Sequence, residues 1–450
     1  MGCIIVEKAT EACYNEYVEV LDKFNINIKA TNNPFSIKLL DLFSMACRIN
    51  KKRSFLFVSK VLGKHIPTEP KNIINIGYLL YSLYISEIYN DDTALKRATE
   101  LLEINDYYEL EFLNDLDRYN IDESTLVITF AETATALGHT FFNNFKGNME
   151  FIHTTREDLK INTSRINFKE EHSHATDQML YPMNLDYTGG YSKVILIDDE
   201  FTTGRTCLNI IKEMHETIKV EKYVLISILD WRSKEDIDVL KELEEQIDCK
   251  IECISIIKGD FHIDHKEDAK EERDFVIDEN EVVDFNFISL DFKNYVNSEA
   301  NYCNYTGRFG LNPKEQEELM GLISMNANLL NKYRTGSKTL VLGTGEFMYI
   351  PLLIADQMGE NVFYQSTTRS PICASEEKEY PVKSKYAYTN PYDLETINYI
   401  YNVSKGFYDE VYIMFETTPN MNYAKRILNI FKSLDIKNIN LVVCDGGAYE

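Results

Sequence analysis

Two stretches of this chain, far apart in sequence, follow one plan. "VITFAETATALGHTFFNNFKGNMEFIHTTR" ends at Arg156 and "LVLGTGEFMYIPLLIADQMGENVFYQSTTR" ends at Arg369. Each reads as an apolar strand, a small loop with one glutamate, an apolar helix, a second strand and Thr-Thr-Arg. The units that follow also match: "YSKVILIDDEFTTGRT" with "YDEVYIMFETTPNMNY", and "YVLISILDW" with "INLVVCDGG". The offsets agree, 369 − 156 = 213 at the arginines, 411 − 194 = 217 at the strand valines and 445 − 230 = 215 at the aspartates. Order and spacing held over three landmarks predict a duplicated fold. Strands alternating with helices predict parallel sheets covered on both faces, an α/β class. In the second copy Phe415, Glu416 and Met421 stand where Asp198, Asp199 and Gly204 stand in the first, so that copy is expected to be degenerate.

A chain of 450 residues exceeds one ordinary core. The densely charged "DFHIDHKEDAKEERDFVIDENE" (260–281) marks a domain edge. The expected division is 1–265 for a first domain with an N-terminal hood and helical segment, 266–290 for a charged linker, and 291–450 for the second domain. Lys+Arg 47 against Asp+Glu 72 gives a net charge of −25, which opposes loose binding to nucleic acid or anionic lipid. The start has too short an apolar run and too little positive charge for a signal peptide. Nowhere do 18 apolar residues run together, so a spanning helix is not expected. Nine scattered cysteines without a CxxC pair fit a reduced cytoplasm.

The chemistry concentrates in "VILIDDEFTTGRT" (194–206). In an open parallel sheet ligands sit at the carboxyl ends of strands, where Asp198 and Asp199 fall. The loop after them leads into a helix whose free N–H groups, Thr hydroxyls and permissive Gly204 suit a phosphate monoester. The two carboxylates would repel that phosphate, but they accept hydrogen bonds from a diol. A sugar with a phosphate at one end and vicinal hydroxyls at the other satisfies both halves. No G-x-x-x-x-G-K-[ST] and no G-x-G-x-x-G opening a helix is present, and the two glycines of "LVLGTGEFM" are weak support for a Rossmann reading.

This motif resembles the signature of type I phosphoribosyltransferases, which bind phosphoribosyl pyrophosphate (PRPP). The resemblance implies that Asp198 and Asp199 hold the ribose hydroxyls and that Thr202, Thr203, Gly204, Arg205 and Thr206 hold the 5′-phosphate. Glu200 departs from the family, which has an apolar residue there. "FAETATALG" (130–138) lies where the pyrophosphate loop belongs, giving Glu132, Thr133, Ala134 and Thr135, with Glu132 unusual among them. Arg156, ending the next strand, is a candidate pyrophosphate clamp, or else an exposed strand-end cation. The segment 164–182 would be the mobile loop, carrying Arg165, Lys169, His172 and His174; His-x-His lacks a third metal ligand at matching spacing. Asp230, Trp231 and Arg232 of "LDWR" would face the acceptor, with Trp231 stacking on it, unless the ring is a core residue. Lys64 and His65 of "GKHIP" would serve from the hood over the site, or simply form a turn.

"STTRSPI" (366–372) contains Thr-Arg-Ser-Pro, and "YTGRFGL", "EFMYIP" and "YIYNVS" accompany it. Together they resemble the TRSP domain found C-terminal to a phosphoribosyltransferase in bacterial tellurite-resistance-type gene clusters. The expectation is then two phosphoribosyltransferase-like parallel-sheet domains, the second degenerate. The implied activity is transfer of 5-phosphoribosyl from PRPP to a base-like acceptor, with Mg²⁺ accompanying PRPP and pyrophosphate released. The implied setting is synthesis of a nucleoside-like metabolite in a stress response. Partners are expected to be small molecules, with a homo-oligomer left open. The alternative is a PRPP- or nucleotide-sensing regulatory protein without turnover; a PRPP synthetase would need an ATP site that the sequence does not show.

Overall fold

The computed structural model describes residues 14–21, 24–48, 55–104, 118–159, 161, 165–168, 178–182, 185, 189–265, 283–292 and 302–445. Seven strands build the first sheet: β1 (Tyr14–Val20), β2 (Phe24–Asn32), β3 (Tyr119–Thr129), β4 (Phe145–His153), β5 (Lys193–Phe201), β6 (Lys222–Asp230) and β7 (Lys250–His265). Their spatial order is β1-β2-β7-β6-β5-β3-β4. The five strands from β7 to β4 are mutually parallel, and β2 and β1 extend the sheet in antiparallel fashion. Five more strands form a second, all-parallel sheet: β8 (Asn286–Ser289), β9 (Thr339–Gly343), β10 (Val362–Ser366), β11 (Glu410–Phe415) and β12 (Asn438–Val443), in the order β8-β12-β11-β9-β10.

The two orders superpose strand for strand, so the duplication read from the spacing is present as sheet topology. One strand breaks the pattern. β7 follows β6 in the chain, whereas its counterpart β8 precedes the whole second copy. Residues 286–289, expected at the end of the linker, pair in parallel with β12 and belong to the second sheet. The helical segment expected in the first domain contains, among the described residues, α1 (Pro70–Tyr89) and a helix at Thr93–Ile104.

Local sequence explains why the strands deliver the site. In β5 the run from Lys193 to Ile197 is buried, as a parallel strand covered on both faces must be. Burial ends at Asp198, so the carboxylates emerge at the strand's carboxyl end. Helix α3 (Arg205–Thr217) returns across the sheet with Cys207, Ile210, Ile211 and Met214 inward, a three-to-four spacing that makes one apolar stripe. Between β3 and β4 lies α2 (Thr135–Phe142), buried along its whole length.

The two domains exchange their hoods. The backbone of Thr68, from the first hood, pairs both ways with Tyr364 on β10, and Ser366 N–H donates to Gly63 C=O at 2.7 Å. The mirror contacts come from the second hood: Leu311 pairs both ways with Phe151 on β4, and His153 N–H donates to Gly307 C=O at 3.1 Å. Phe151 and Tyr364 are 364 − 151 = 213 apart, the repeat offset. Each hood then opens a helix with a proline in its first turn, α1 at Pro70 and α4 (Pro313–Leu330) at Pro313. A Cβ on Gly63 would sit 2.6 Å from the Tyr364 ring, and one on Gly307 2.5 Å from the Phe151 ring. Both hoods therefore need glycine for the same close approach. The contact is that of a two-fold dimer written into one chain.

Candidate active site

The acidic pair and two loops converge at the carboxyl edge of the first sheet. Thr129 pairs with Ile197, and Phe130 N–H donates to Ile197 C=O at 3.2 Å, which sets the 130–135 loop beside Asp198. Asp198, Asp199 and Glu200 are half-buried, and Asp199 N–H donates to the Asp198 carboxylate at 3.0 Å. The 202–206 loop ends at Gly204, which caps α3 with φ 72. That left-handed backbone costs other residues about 1–2 kcal/mol. A Cβ there would also lie 2.9 Å from Arg232 Cδ. Thr202, Thr203 and Thr206 are half-buried around the helix N-terminus, and Arg205 is exposed.

The 130–135 loop is held from three sides. Ala131 N–H donates to Thr154 Oγ1 at 2.8 Å, Thr129 Oγ1 donates to Ala134 C=O at 2.7 Å, and Thr135 N–H donates to Glu132 C=O at 3.1 Å. The Ala131–Glu132 peptide is cis. Glu132 is buried and pairs with Lys64 at 3.0 Å; Lys64 also donates to Thr133 Oγ1 at 2.7 Å. Burial alone would raise the Glu132 pKa, but Lys64, Arg369 and Arg156 hold it down to about 2. Arg156 lies alongside, its Nε donating to Ala131 C=O at 3.4 Å. Lys64, Glu132 and Arg156 thus meet at the loop as one group.

Other expected residues sit elsewhere. His65 is buried with its ring 5.4 Å from Tyr401 of the second domain, and burial pushes its pKa well below 6.5. It faces the domain interface. Trp231 is only 4% exposed, stacked on Phe57 at 5.3 Å and met edge-on by Phe261. The indole therefore has core partners in place of an open face for an acceptor. Asp230 and Arg232 grip each other, Nε to Oδ1 at 2.8 Å and Nη2 to Oδ2 at 2.6 Å, and both are buried. Arg232 packs under Gly204, against the 202–206 loop. Arg165 is exposed and pairs with Asp158. His172, His174 and Lys169 lie outside the described residues.

A second cluster, centred on Arg308 of the second hood, had no role in the sequence reading. Arg308 is 2% exposed and pairs with Glu346 at 3.1 Å, Glu416 at 2.8 Å and Glu157 at 3.4 Å. Thr155 Oγ1 donates to Glu346 at 2.5 Å, while Thr368 Oγ1 donates to Glu132 at 2.9 Å. Each copy's Thr-Thr-Arg strand end therefore grips the other copy's loop glutamate. The repeat alignment already paired Glu132 with Glu346 and Thr155 with Thr368; their crossing over had no trace in it. In the second copy Phe415 is fully buried and Glu416 is taken by Arg308. Asp445 accepts from Thr418 N–H at 2.6 Å and from its hydroxyl at 3.1 Å, a carboxylate seated on the loop itself.

Among the described residues no group of three or more His, Cys, Asp or Glu has the arrangement of a metal site, and no helix is long and apolar enough to cross a membrane.

A family model described as phosphoribosyl transferase matches residues 42–260, and the TRSP domain described as C-terminal to it matches residues 305–431. No curated protein matches the sequence. Among solved structures, adenine phosphoribosyltransferase from Trypanosoma brucei, in complex with AMP, pyrophosphate and ribose-5-phosphate, is similar at 11% identity and TM-score 0.31, covering 54% of this chain and 87% of its own. The Leishmania donovani adenine phosphoribosyltransferase is similar at 14% identity and TM-score 0.26, covering 48% of this chain and 77% of its own. The Saccharomyces cerevisiae enzyme, complexed with an imino-altritol bisphosphate and adenine, aligns at 11% identity and TM-score 0.27, covering 48% and 96%. The two family matches, in the chain order that the sheets follow, carry the assignment: the chain belongs to the two-domain family in which a phosphoribosyltransferase domain is followed by a TRSP domain.

Proposed function

We propose that the first domain transfers 5-phosphoribosyl from PRPP to a base-like acceptor and releases pyrophosphate, forming a nucleoside-like metabolite of a stress response. The observation that carries this reading is the convergence of the Asp198–Asp199 pair, the Gly204-capped loop and the 130–135 loop on one sheet edge. The loop amides and Thr hydroxyls at the α3 N-terminus take the 5′-phosphate. Asp198 and Asp199 accept from the ribose hydroxyls. Lys64 and Arg156 meet the pyrophosphate at the 130–135 loop.

The transfer breaks the bond between ribose C1 and the pyrophosphate oxygen and forms one between C1 and the acceptor, which gives up a proton. Positive charge develops on the ribose between those events, so the chain acts by positioning and by stabilising the departing anion. Mg²⁺ brought with PRPP would neutralise charge on its pyrophosphate, held mainly by the substrate's phosphates with the adjacent carboxylates beside it. The test is pyrophosphate release from PRPP-Mg²⁺ across a panel of nitrogenous bases. Release that depends on one acceptor and yields its ribosylated 5′-phosphate is expected. PRPP binding without any turnover across the panel would leave the protein a sensor.

A further inference from the structure

We infer that Arg369, from the second domain, is a pyrophosphate-binding residue of the first domain's site, with Thr368 positioning the loop it serves. This inference rests on the proposed function and adds a group from the TRSP motif to it. The problem it solves is electrostatic. A loop that receives the leaving pyrophosphate carries a buried carboxylate, Glu132, which repels that anion unless cations outnumber it. Lys64 at 3.0 Å balances Glu132 and leaves no excess. Two arginines add positive charge there, Arg369 sharing its own with Glu157. Arg156 touches the loop backbone at Ala131, and Arg369 reaches it across the domain interface, Nε to Glu132 Oε1 at 3.7 Å.

Arg369 is also placed to receive a ligand. Its contacts, 3.7 Å to Glu132 and 3.6 Å to Glu157, are longer than hydrogen bonds, and its side chain keeps 20% exposure. Arg308, its neighbour in the interface, is by contrast closed down by three carboxylates and 2% exposed. A guanidinium held loosely by two acids and still partly exposed has donors to spare, and its planar fork matches phosphate oxygens. Thr368 fixes the geometry. It donates to Glu132 at 2.9 Å and accepts from Ser370 N–H at 3.1 Å, so the segment bearing Arg369 is pinned to the loop. The strand end that lost its own PRPP site has become a wall of its neighbour's.

The test compares two probes on the full-length protein by calorimetry: inorganic pyrophosphate with Mg²⁺, and ribose 5-phosphate, which carries the diol and 5′-phosphate but no pyrophosphate. Arg369→Gln should weaken pyrophosphate and PRPP binding at least about tenfold while ribose 5-phosphate binds as before. Arg369→Lys should recover part of the loss, and Thr368→Val should show a smaller loss on the same probe. Unchanged pyrophosphate binding by Arg369→Gln overturns the inference. Equal loss of both probes also overturns it, because the arginine would then merely brace the interface. A wild-type protein that binds neither probe overturns the proposed function, and this inference with it.

Discussion

Asp199 carries the sharpest consequence of the ribose reading. Asp199→Asn keeps the side chain's size and removes a charged acceptor, worth roughly 1.5–3 kcal/mol for a hydrogen bond to a charged group. PRPP affinity should fall at least about tenfold while the thermal midpoint holds, as calorimetry and a melting curve would show. Glu157 gives a prediction of a different kind. Burial pushes its carboxyl up to about 7, with Arg308 opposing, against an ordinary value of 4.5. Between those two values the folded chain holds a proton that the unfolded chain has lost, so this group's contribution makes stability fall as pH rises from about 4.5 to 7. Glu157→Gln should flatten that slope in denaturant titrations at a series of pH values. A slope unchanged by the substitution would mean that Glu157 stays ionised in the folded protein.

At the scale of single elements, the succession of strands along the chain was legible because buried parallel strands are written as apolar runs. The end of burial at the acidic pair was legible because the apolar run of the strand stops at Asp198. Contacts between side chains two residues apart at a strand end were not. Nothing in "LDWR" distinguishes an acceptor-facing Trp231 from one wedged against Phe57 and Phe261, or shows that Arg232 folds back onto Asp230. The two copies explain that pair. In the second, Asp445, the counterpart of Asp230, sits on Thr418 in the loop. In the first, Arg232 holds Asp230 in a two-pronged grip and packs under Gly204 instead. Arg232 thus keeps a buried carboxylate off the 202–206 loop, which the proposed function assigns to the 5′-phosphate. Arg232→Leu should therefore weaken ribose 5-phosphate binding at least about tenfold. Adding Asp230→Leu should restore much of it, because replacing both partners of a buried pair costs far less than removing one. Single and double variants that bind alike would show the pair to be a structural brace only.

For the whole molecule, the exchanged hoods make the two domains mutually dependent. Arg308 from the second hood pairs with carboxylates of both domains, and Glu132 of the first domain is held by Lys64 of its own hood and by Thr368 of the second domain. None of this was visible in the sequence, because hydrogen bonds between Thr68 and Tyr364 or Phe151 and Leu311 leave no local pattern. A domain expressed alone would expose a strand, β4 or β10, whose backbone partner is gone, and Glu157 and Arg369 would lose their ion pairs across the interface. The chain should accordingly tolerate a break in its backbone better than the loss of either half. Residues 1–270 and 280–450, made as two polypeptides in one cell, should purify together as a one-to-one complex that binds PRPP. Each half made alone should aggregate or melt well below the intact protein. A first half that stands alone as a stable monomer with full PRPP affinity would show that the hood exchange, and Arg369 with it, adds nothing to the site.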